Sequence, residues 1–143
     1  MRIITPADAS YFQDVVHSYS EGIRPSFLKF NAAKPAKCHE NAELFFDRHP
    51  DHPIVRGWLV AEIGGAAGFF RLVAHSINRS PNGGFVDVTP LEEADRKAYC
   101  FIPHRGSEEE FASMRDRFVE TYFPFIDAHV RTTAAQTAKF VDD

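Results

Sequence analysis

The chain has 143 residues, a formal net charge of −4 and 44% hydrophobic residues, among them 14 phenylalanines. This length and this apolar content are typical of one globular domain with a single core, and they exclude a disordered chain. Acidic and basic residues are interspersed without a basic patch, so neither nucleic acid nor an anionic membrane is an expected partner.

The apolar runs and the cysteine count predict a cytoplasmic location. No stretch approaches the roughly 20 apolar residues that a membrane-spanning helix needs. The first residues, MRIITPADASYFQD, lack the apolar segment of a secretory signal and reach Asp8 and Asp14 early. The two cysteines, Cys38 and Cys100, allow at most one disulfide, and in a reducing compartment both thiols stay available for chemistry.

The N-terminal part of the chain predicts two helices joined by a loop. The first helix begins at Pro6 with Thr5 as its cap, and its apolar face comprises Tyr11, Phe12, Val15, Val16 and Tyr19. Residues 22–37 are interrupted by prolines and are predicted to form a loop. The second helix is predicted from Cys38 to about His49, before the next proline.

The centre of the chain predicts antiparallel strands. Their predicted bounds are Ile54–Ile63, Phe69–Asn78, Phe85–Val88 and Tyr99–Ile102, with turns at Gly64, Gly65 and Gly68 and at residues 79–84. Ser107 and Glu110 form a capping box that opens a last helix, whose apolar stripe is Phe111, Met114, Phe118 and Tyr122. Strands clustered between helices indicate one α+β domain over residues 1–143, with a core at about 5–123 and a peripheral tail at 124–143.

Cys38 is the candidate nucleophile. At a helix N-terminus a thiol lies near unpaired backbone N–H groups and the positive end of the helix dipole, which lower its pKa and favour the thiolate. Lys37 and His39 add positive charge nearby. The competing interpretation is a small buried hydrophobic residue, which is the common fate of a free cysteine.

His75 and Asp87 are the candidate base and the candidate group that orients it. A thiolate, an imidazole and a carboxylate on neighbouring elements form a nucleophile–base–orienter arrangement. If the hairpin loop comprises residues 79–83, His75 lies directly opposite Asp87 and both point to one face of the sheet. A two-residue turn would put Asp87 on the opposite face, so the triad requires an odd-length loop or a bulge.

The segments CHEN, VRGWLV, AHSINRSPNGGFVDVTP and YCFIPH resemble a bacterial and phage group of the transglutaminase-like/papain-like superfamily. The resemblance covers about Cys38 to Thr89. It implies an antiparallel sheet packed against the cysteine-bearing helix, with Cys38 as nucleophile, His75 as base and Asp87 as orienter. Many relatives carry an aromatic residue in a His-x-Trp pattern, whereas Ser76, Ile77 and Asn78 follow the histidine here.

Four further residues are candidates for binding or support. Asn41 lies on the Cys38 face of the helix, and Asn31 is the only side-chain amide of the preceding loop and hence a candidate oxyanion donor beside the Cys38 backbone N–H. Trp58 is predicted to lie in the core or the cleft wall. His104 either lines the cleft or is an ordinary loop histidine.

The sequence therefore predicts a cysteine-dependent hydrolase or acyltransferase that acts on a small-molecule or peptide acyl substrate, without a cofactor. One alternative is a non-catalytic module that binds a peptide or small ligand on the same fold. Another is metal binding by Cys38, His75 and Asp87 themselves, although no zinc-type spacing occurs among the cysteines and histidines.

Overall fold

The computed structural model describes residues 3–63 and 68–125 as an α+β fold. Four α-helices are α1 (Pro6–His17), α2 (Cys38–Arg48), α3 (Glu93–Lys97) and α4 (Glu108–Arg117) within these residues. Six strands are β1 (Ser26–Phe27), β2 (Ile54–Glu62), β3 (Phe70–Arg79), β4 (Phe85–Asp87), β5 (Phe101–Pro103) and β6 (Glu120–Phe123). Among the described residues, the helices are too short or too polar to cross a lipid bilayer.

The strands form one sheet in the order β1-β4-β3-β2-β5, and β6 also pairs with β3. Strand β2 pairs with β3 from Ile54 opposite Asn78 to Glu62 opposite Phe70, and so occupies one edge of β3 along nearly its whole length. The other edge holds two strands: β6 along Phe70 to Val73 and β4 along Asn78 to Arg79. An interval of four residues, 74–77, separates the two partners on this edge.

Side-chain alternation divides the sheet into two faces. One face carries Trp58 and Leu72, which pack with α1 and α4 in a cluster of buried residues that includes Phe12, Phe111 and Phe118. The opposite face carries His75 and Ile77, and Ile77 packs with Tyr99 and Phe101 in a second cluster. The first cluster supplies most of the buried apolar area and therefore most of the hydrophobic stabilisation.

Local capping explains the helix starts. Thr5 accepts from the backbone N–H of Asp8, and Asp8 accepts from the backbone N–H of Thr5. The predicted start of the first helix at Pro6, with Thr5 as its cap, is therefore confirmed. The predicted capping box of Ser107 and Glu110 opens α4 in the same way. The predicted antiparallel hairpin also forms.

The sequence-based assignment was wrong in four places. Tyr19, predicted on the apolar face of the first helix, follows the end of α1 and is exposed. The predicted loop 22–37 contains β1, which pairs in parallel with β4, so the sheet is not wholly antiparallel. The last helix ends at Arg117, and Tyr122 belongs to β6 because β-branched and aromatic residues there pair with the free edge of β3. Helix α3 was not predicted. The glycine turn at 64–65 and most of the tail at 124–143 lie outside the described residues.

Candidate active site

Cys38 is the first residue of α2 and is partly exposed. The first hydrogen bond inside the helix runs from the backbone N–H of Asn41 to the carbonyl of Lys37, at 2.8 Å. The helix itself therefore supplies no acceptor for the backbone N–H groups of residues 38–40, which is the condition that stabilises an anion at a helix start.

The Cys38 end of α2 lies at the interval in the β3 edge. The Cys38 sulfur is 3.9 Å from the carbonyl oxygen of Ala74, and the backbone N–H of Ala74 donates to the carbonyl of Val119, just before β6. The thiol thus lies where the neighbour of β3 changes from β6 to β4. This position allows a residue of the helix face to reach a histidine on the opposite face of the sheet.

The side chain of Asn41 fixes the start of α2 through hydrogen bonds. Its side chain is buried, accepts from the backbone N–H of Lys34 at 3.0 Å and donates to the Lys34 carbonyl at 2.8 Å. It also donates to the Thr89 hydroxyl at 3.0 Å. Asn41 therefore ties the preceding loop and the residues after β4 to α2, which is a positioning role rather than contact with reacting atoms.

His75 and Asp87 form a buried pair. His75 Nε2 lies 2.7 Å from Asp87 Oδ2, and the two residues are 4% and 1% exposed. The same carboxylate accepts from the Tyr99 hydroxyl at 2.6 Å and from the backbone N–H of Thr89 at 2.9 Å. Three donors hold the Asp87 oxygens, so the carboxylate fixes the orientation of the imidazole ring.

The hairpin has the predicted parity but not the predicted register. Asn78 pairs with Val86 and Arg79 with Phe85, which leaves a five-residue loop over residues 80–84. The loop is odd in length, as the triad required, but the prediction that His75 lies directly opposite Asp87 is wrong. The pairing is displaced, so that Asp87 lies diagonally from His75 on the same face, within reach of its ring.

The electrostatics of Cys38 and His75 are coupled. Burial by itself raises the pKa of the Cys38 thiol, but hydrogen bonds and positive charge from His39 and His75 lower it to about 6. Burial by itself lowers the pKa of His75, but hydrogen bonds and negative charge from Asp87 and Cys38 raise it to about 9. Both shifts favour the thiolate form of Cys38 and the imidazolium form of His75 at neutral pH.

Tyr99 stays protonated beside the carboxylate. Burial raises the pKa of its hydroxyl, and the negative charge of Asp87 and the hydrogen bond to it raise that pKa further. A protonated phenol is a hydrogen-bond donor, so Tyr99 donates to the Asp87 carboxylate at neutral pH.

His39, which the sequence predicted only as a positive charge near Cys38, makes contacts that the sequence did not predict. Its Nδ1 lies 2.5 Å from the Ser76 hydroxyl, which also accepts from Arg56 Nη1 at 2.9 Å. Arg56 is held in turn by Glu43 and Glu108, at 2.8 Å each. The sequence contained a signal for this contact. His39 directly follows Cys38 and Ser76 directly follows His75, and alternation along β3 puts Ser76 on the face of the sheet that packs against α2.

The other predicted support residues lie elsewhere. Trp58 is fully buried and donates through Nε1 to the Tyr11 oxygen at 2.7 Å, and that hydroxyl lies 2.7 Å from His104 Nδ1. Trp58 is thus a core residue, and His104 belongs to the same structural network rather than to the thiol. Asn31 is exposed and lines a separate cavity on the Asp87 side.

The Cys38, His75 and Asp87 side chains do not form a metal site. Over residues 3–63 and 68–125, no group of three histidine, cysteine, aspartate or glutamate side chains is placed to hold a metal ion. The Nε2 atom of His75 is engaged by Asp87, and the charges of Cys38 and His75 favour each other, which suits proton transfer between the thiol and the ring.

A cavity of about 400 Å³ opens beside the pair, lined by both Cys38 and His75. Its size is at the lower end of the range for small-molecule sites. Comparison of the chain with protein-family models, curated proteins and solved structures found no match.

Proposed function

We propose that this protein is a cysteine-dependent hydrolase or acyltransferase that acts on an amide, ester or thioester. The observation that carries the proposal is the placement of the Cys38 thiol beside the His75 ring, whose Nε2 atom bonds the buried carboxylate of Asp87. A thiolate paired with a held imidazolium combines a nucleophile with a proton donor, which are the two groups that acyl transfer needs.

The reaction follows from these positions. The Cys38 thiolate attacks the carbonyl carbon, and the C=O electron pair moves onto the oxygen. The intermediate then collapses with loss of the leaving group, which takes the proton of His75. In the second half, neutral His75 removes a proton from water or an amine, which attacks the thioester carbon. Loss of the thiolate releases the acid or the amide, and His75 is again protonated.

Charge on the carbonyl oxygen needs nearby donors. The backbone N–H groups at the start of α2 have no acceptor within the helix, and the N–H of Cys38 is adjacent to the reacting carbon in any acyl adduct. Asn31 lines another cavity, so the predicted side-chain donor is not part of this proposal.

The order cysteine, histidine, aspartate and the packing of a cysteine-bearing helix on a sheet support a transglutaminase-like or papain-like core. The departure from the His-x-Trp pattern falls at Ile77, two residues after His75. Ile77 is fully buried and packs with Tyr99 and Phe101. It does not line the cavity beside Cys38, so the proposal does not depend on an aromatic residue there.

The test is acylation by an activated ester, p-nitrophenyl acetate, followed by intact mass and peptide mapping. We expect one acetyl group on Cys38 and turnover above that of a free cysteine peptide. Cys38→Ser should abolish the adduct, and His75→Asn should slow its formation at least about 100-fold. Cys100→Ser removes the other thiol that lines the cavity and should still give the adduct on Cys38. Wild-type acylation no faster than the peptide's, with ligand binding unaffected by Cys38→Ser, would favour the binding module and overturn the proposal.

A further inference from the structure

The cavity beside Cys38 and His75 follows one face of the sheet. Leu59 and Val73 lie opposite each other in the β2–β3 register, and with Ala61 they form an apolar floor. At about 3.3 Å per residue, this floor extends roughly 7 Å from His75 to Val73 and roughly 13 Å to Arg71, the next residue of β3 on the same face. The reactive thiol therefore lies at one end of an open channel with an apolar floor.

The walls and the outer end of the channel have different characters. Leu91, Ala98 and Val119 add apolar surface around the floor. Charge is found at the outer end, where Arg71 is paired with Glu120, and on the exposed Asp95. The Arg71 charge is already neutralised, so this end offers no free cation for an anionic substrate.

We propose that this channel binds the acyl part of the substrate, and that this part is an uncharged aliphatic chain of about four to eight carbons, which fits within the roughly 13 Å of β3 between His75 and Arg71. The inference rests on the proposed Cys38 chemistry. The acyl group stays on the sulfur through both half-reactions, whereas the leaving group must depart and admit water or an amine. An apolar channel beside the thiol therefore fits the group that remains.

The experiment measures kcat/KM for acylation with p-nitrophenyl acetate, butyrate, hexanoate and octanoate, and with the p-nitrophenyl ester of succinate as a charged chain. Because burial of a methylene group is favourable, we expect a twofold to fourfold gain per methylene up to about eight carbons. The succinyl ester should be no better than the acetyl ester, because its carboxylate would lose water without gaining a partner.

Two variants test the channel itself. Ala98→Trp fills it from an exposed position that tolerates a large side chain, and should reduce kcat/KM for hexanoate at least tenfold more than for acetate. Val73→Thr keeps the volume but adds a hydroxyl, and should weaken the gain per methylene. Ile3→Trp, at an exposed site outside the channel, is the control for adding an indole.

Two outcomes overturn this inference while leaving the proposed function intact. One is Cys38-dependent acylation with a flat or falling chain-length profile or a preference for the succinyl ester. The other is an equal gain in kcat/KM per methylene when the alcohol part of the ester is lengthened and the acyl part is not. Absence of Cys38-dependent acylation by any ester overturns the proposed function itself.

Discussion

At the residue scale, burial and charge pairing shift the pKa values of Cys38 and His75 in opposite directions. Burial favours the neutral forms of Cys38 and His75, yet each supplies charge that stabilises the ionised form of the other. Asp87 strengthens this effect at His75, because its fully buried carboxylate accepts from His75, from Tyr99 and from the backbone N–H of Thr89. The directions of both pKa shifts therefore favour an ion pair before substrate arrives.

The pH dependence of alkylation follows from these shifts. With the Cys38 pKa lowered to about 6, the thiolate forms as pH rises through about 6, and alkylation by iodoacetamide should reach its plateau near pH 7. With the His75 pKa raised to about 9, its proton is lost as pH rises through about 9, so acyl transfer should decline there. Activity should thus be bell-shaped between these limits.

Cys100 is the internal control for that measurement. Burial raises the pKa of its thiol, so a Cys38→Ser variant should alkylate only as pH rises above the range of an ordinary thiol. A single inflection near pH 8.5 for Cys38 would contradict the ion pair, because that is the value of an unperturbed cysteine.

The second imidazole should contribute to the same thiol. His39→Phe keeps a ring against Phe111 but removes the hydrogen bond and the charge that lower the Cys38 pKa, so the alkylation inflection should rise by about one pH unit. His49→Phe, at the exposed end of the same helix, should leave the inflection in place. If the inflection were unchanged in His39→Phe, His39 would not contribute to stabilising the Cys38 thiolate, and that role would belong to His75.

At the scale of elements, local sequence predicted the helix starts and long-range pairing decided the rest. The side chains of Thr5 and Ser107 accept hydrogen bonds from backbone N–H groups three residues later, so these caps can be predicted from the local sequence. The two-residue strand β1 exists only through its pairing with β4, which is distant in sequence. The apolar stripe of α4 continued into Tyr122 at helical spacing and concealed the strand that follows.

The link between α1 and α4 gives a stability prediction. Asp8 is buried, and Arg117 donates to both of its carboxylate oxygens at 2.7 and 2.8 Å. Burial opposes ionisation of Asp8, but the hydrogen bonds from Arg117 and Thr5 hold its pKa below the usual value of 3.8. A lowered pKa contributes stability above the unfolded value, and that contribution is lost as pH falls through the folded value.

Asp8→Asn should therefore lower the free energy of unfolding by about 1–2 kcal/mol at pH 7, a modest loss because Arg117 is partly exposed. The difference from wild type should shrink as pH falls below about 4. Urea unfolding at pH 7 and pH 3.5 measures both values. Asp14→Asn changes the same charge at an exposed position of α1 and should cost little at either pH; equal losses in the two variants would rule out a specific pair.

At the scale of the whole molecule, the site depends on β3 having two different neighbours on one edge. The sequence grouped Cys38, His75 and Asp87 from loop parity and chain order, which are local properties of a hairpin and a helix start. It indicated that His39 adds charge near Cys38 but not which residues His39 contacts, because the chain of contacts through Ser76 and Arg56 crosses from α2 to β3, β2 and α4. Such a network becomes visible only after the elements are packed.

Gly57 connects the fold to the reactive pair. It lies opposite His75 on β3 and opposite Pro103 on β5. A methyl group at this position would lie 2.3 Å from the Ile102 carbonyl oxygen and 2.6 Å from the Phe101 ring, and that fully buried ring packs against His75. The absence of a side chain at residue 57 therefore lets β5 approach β2 and lets Phe101 support the imidazole.

Gly57→Ala should consequently affect stability and chemistry together. We expect a loss of about 2 kcal/mol or more in the free energy of unfolding, because backbone of β5 must move, and a fall of about tenfold or more in the acylation rate, because displaced Phe101 shifts His75. Gly84→Ala is the matched control, since its new methyl group would meet only the flexible Asn82 side chain, at 3.2 Å. Thermal unfolding and acetylation of Cys38 measure the two effects; a variant that loses stability but acylates at the wild-type rate would show that His75 is held by Asp87 alone.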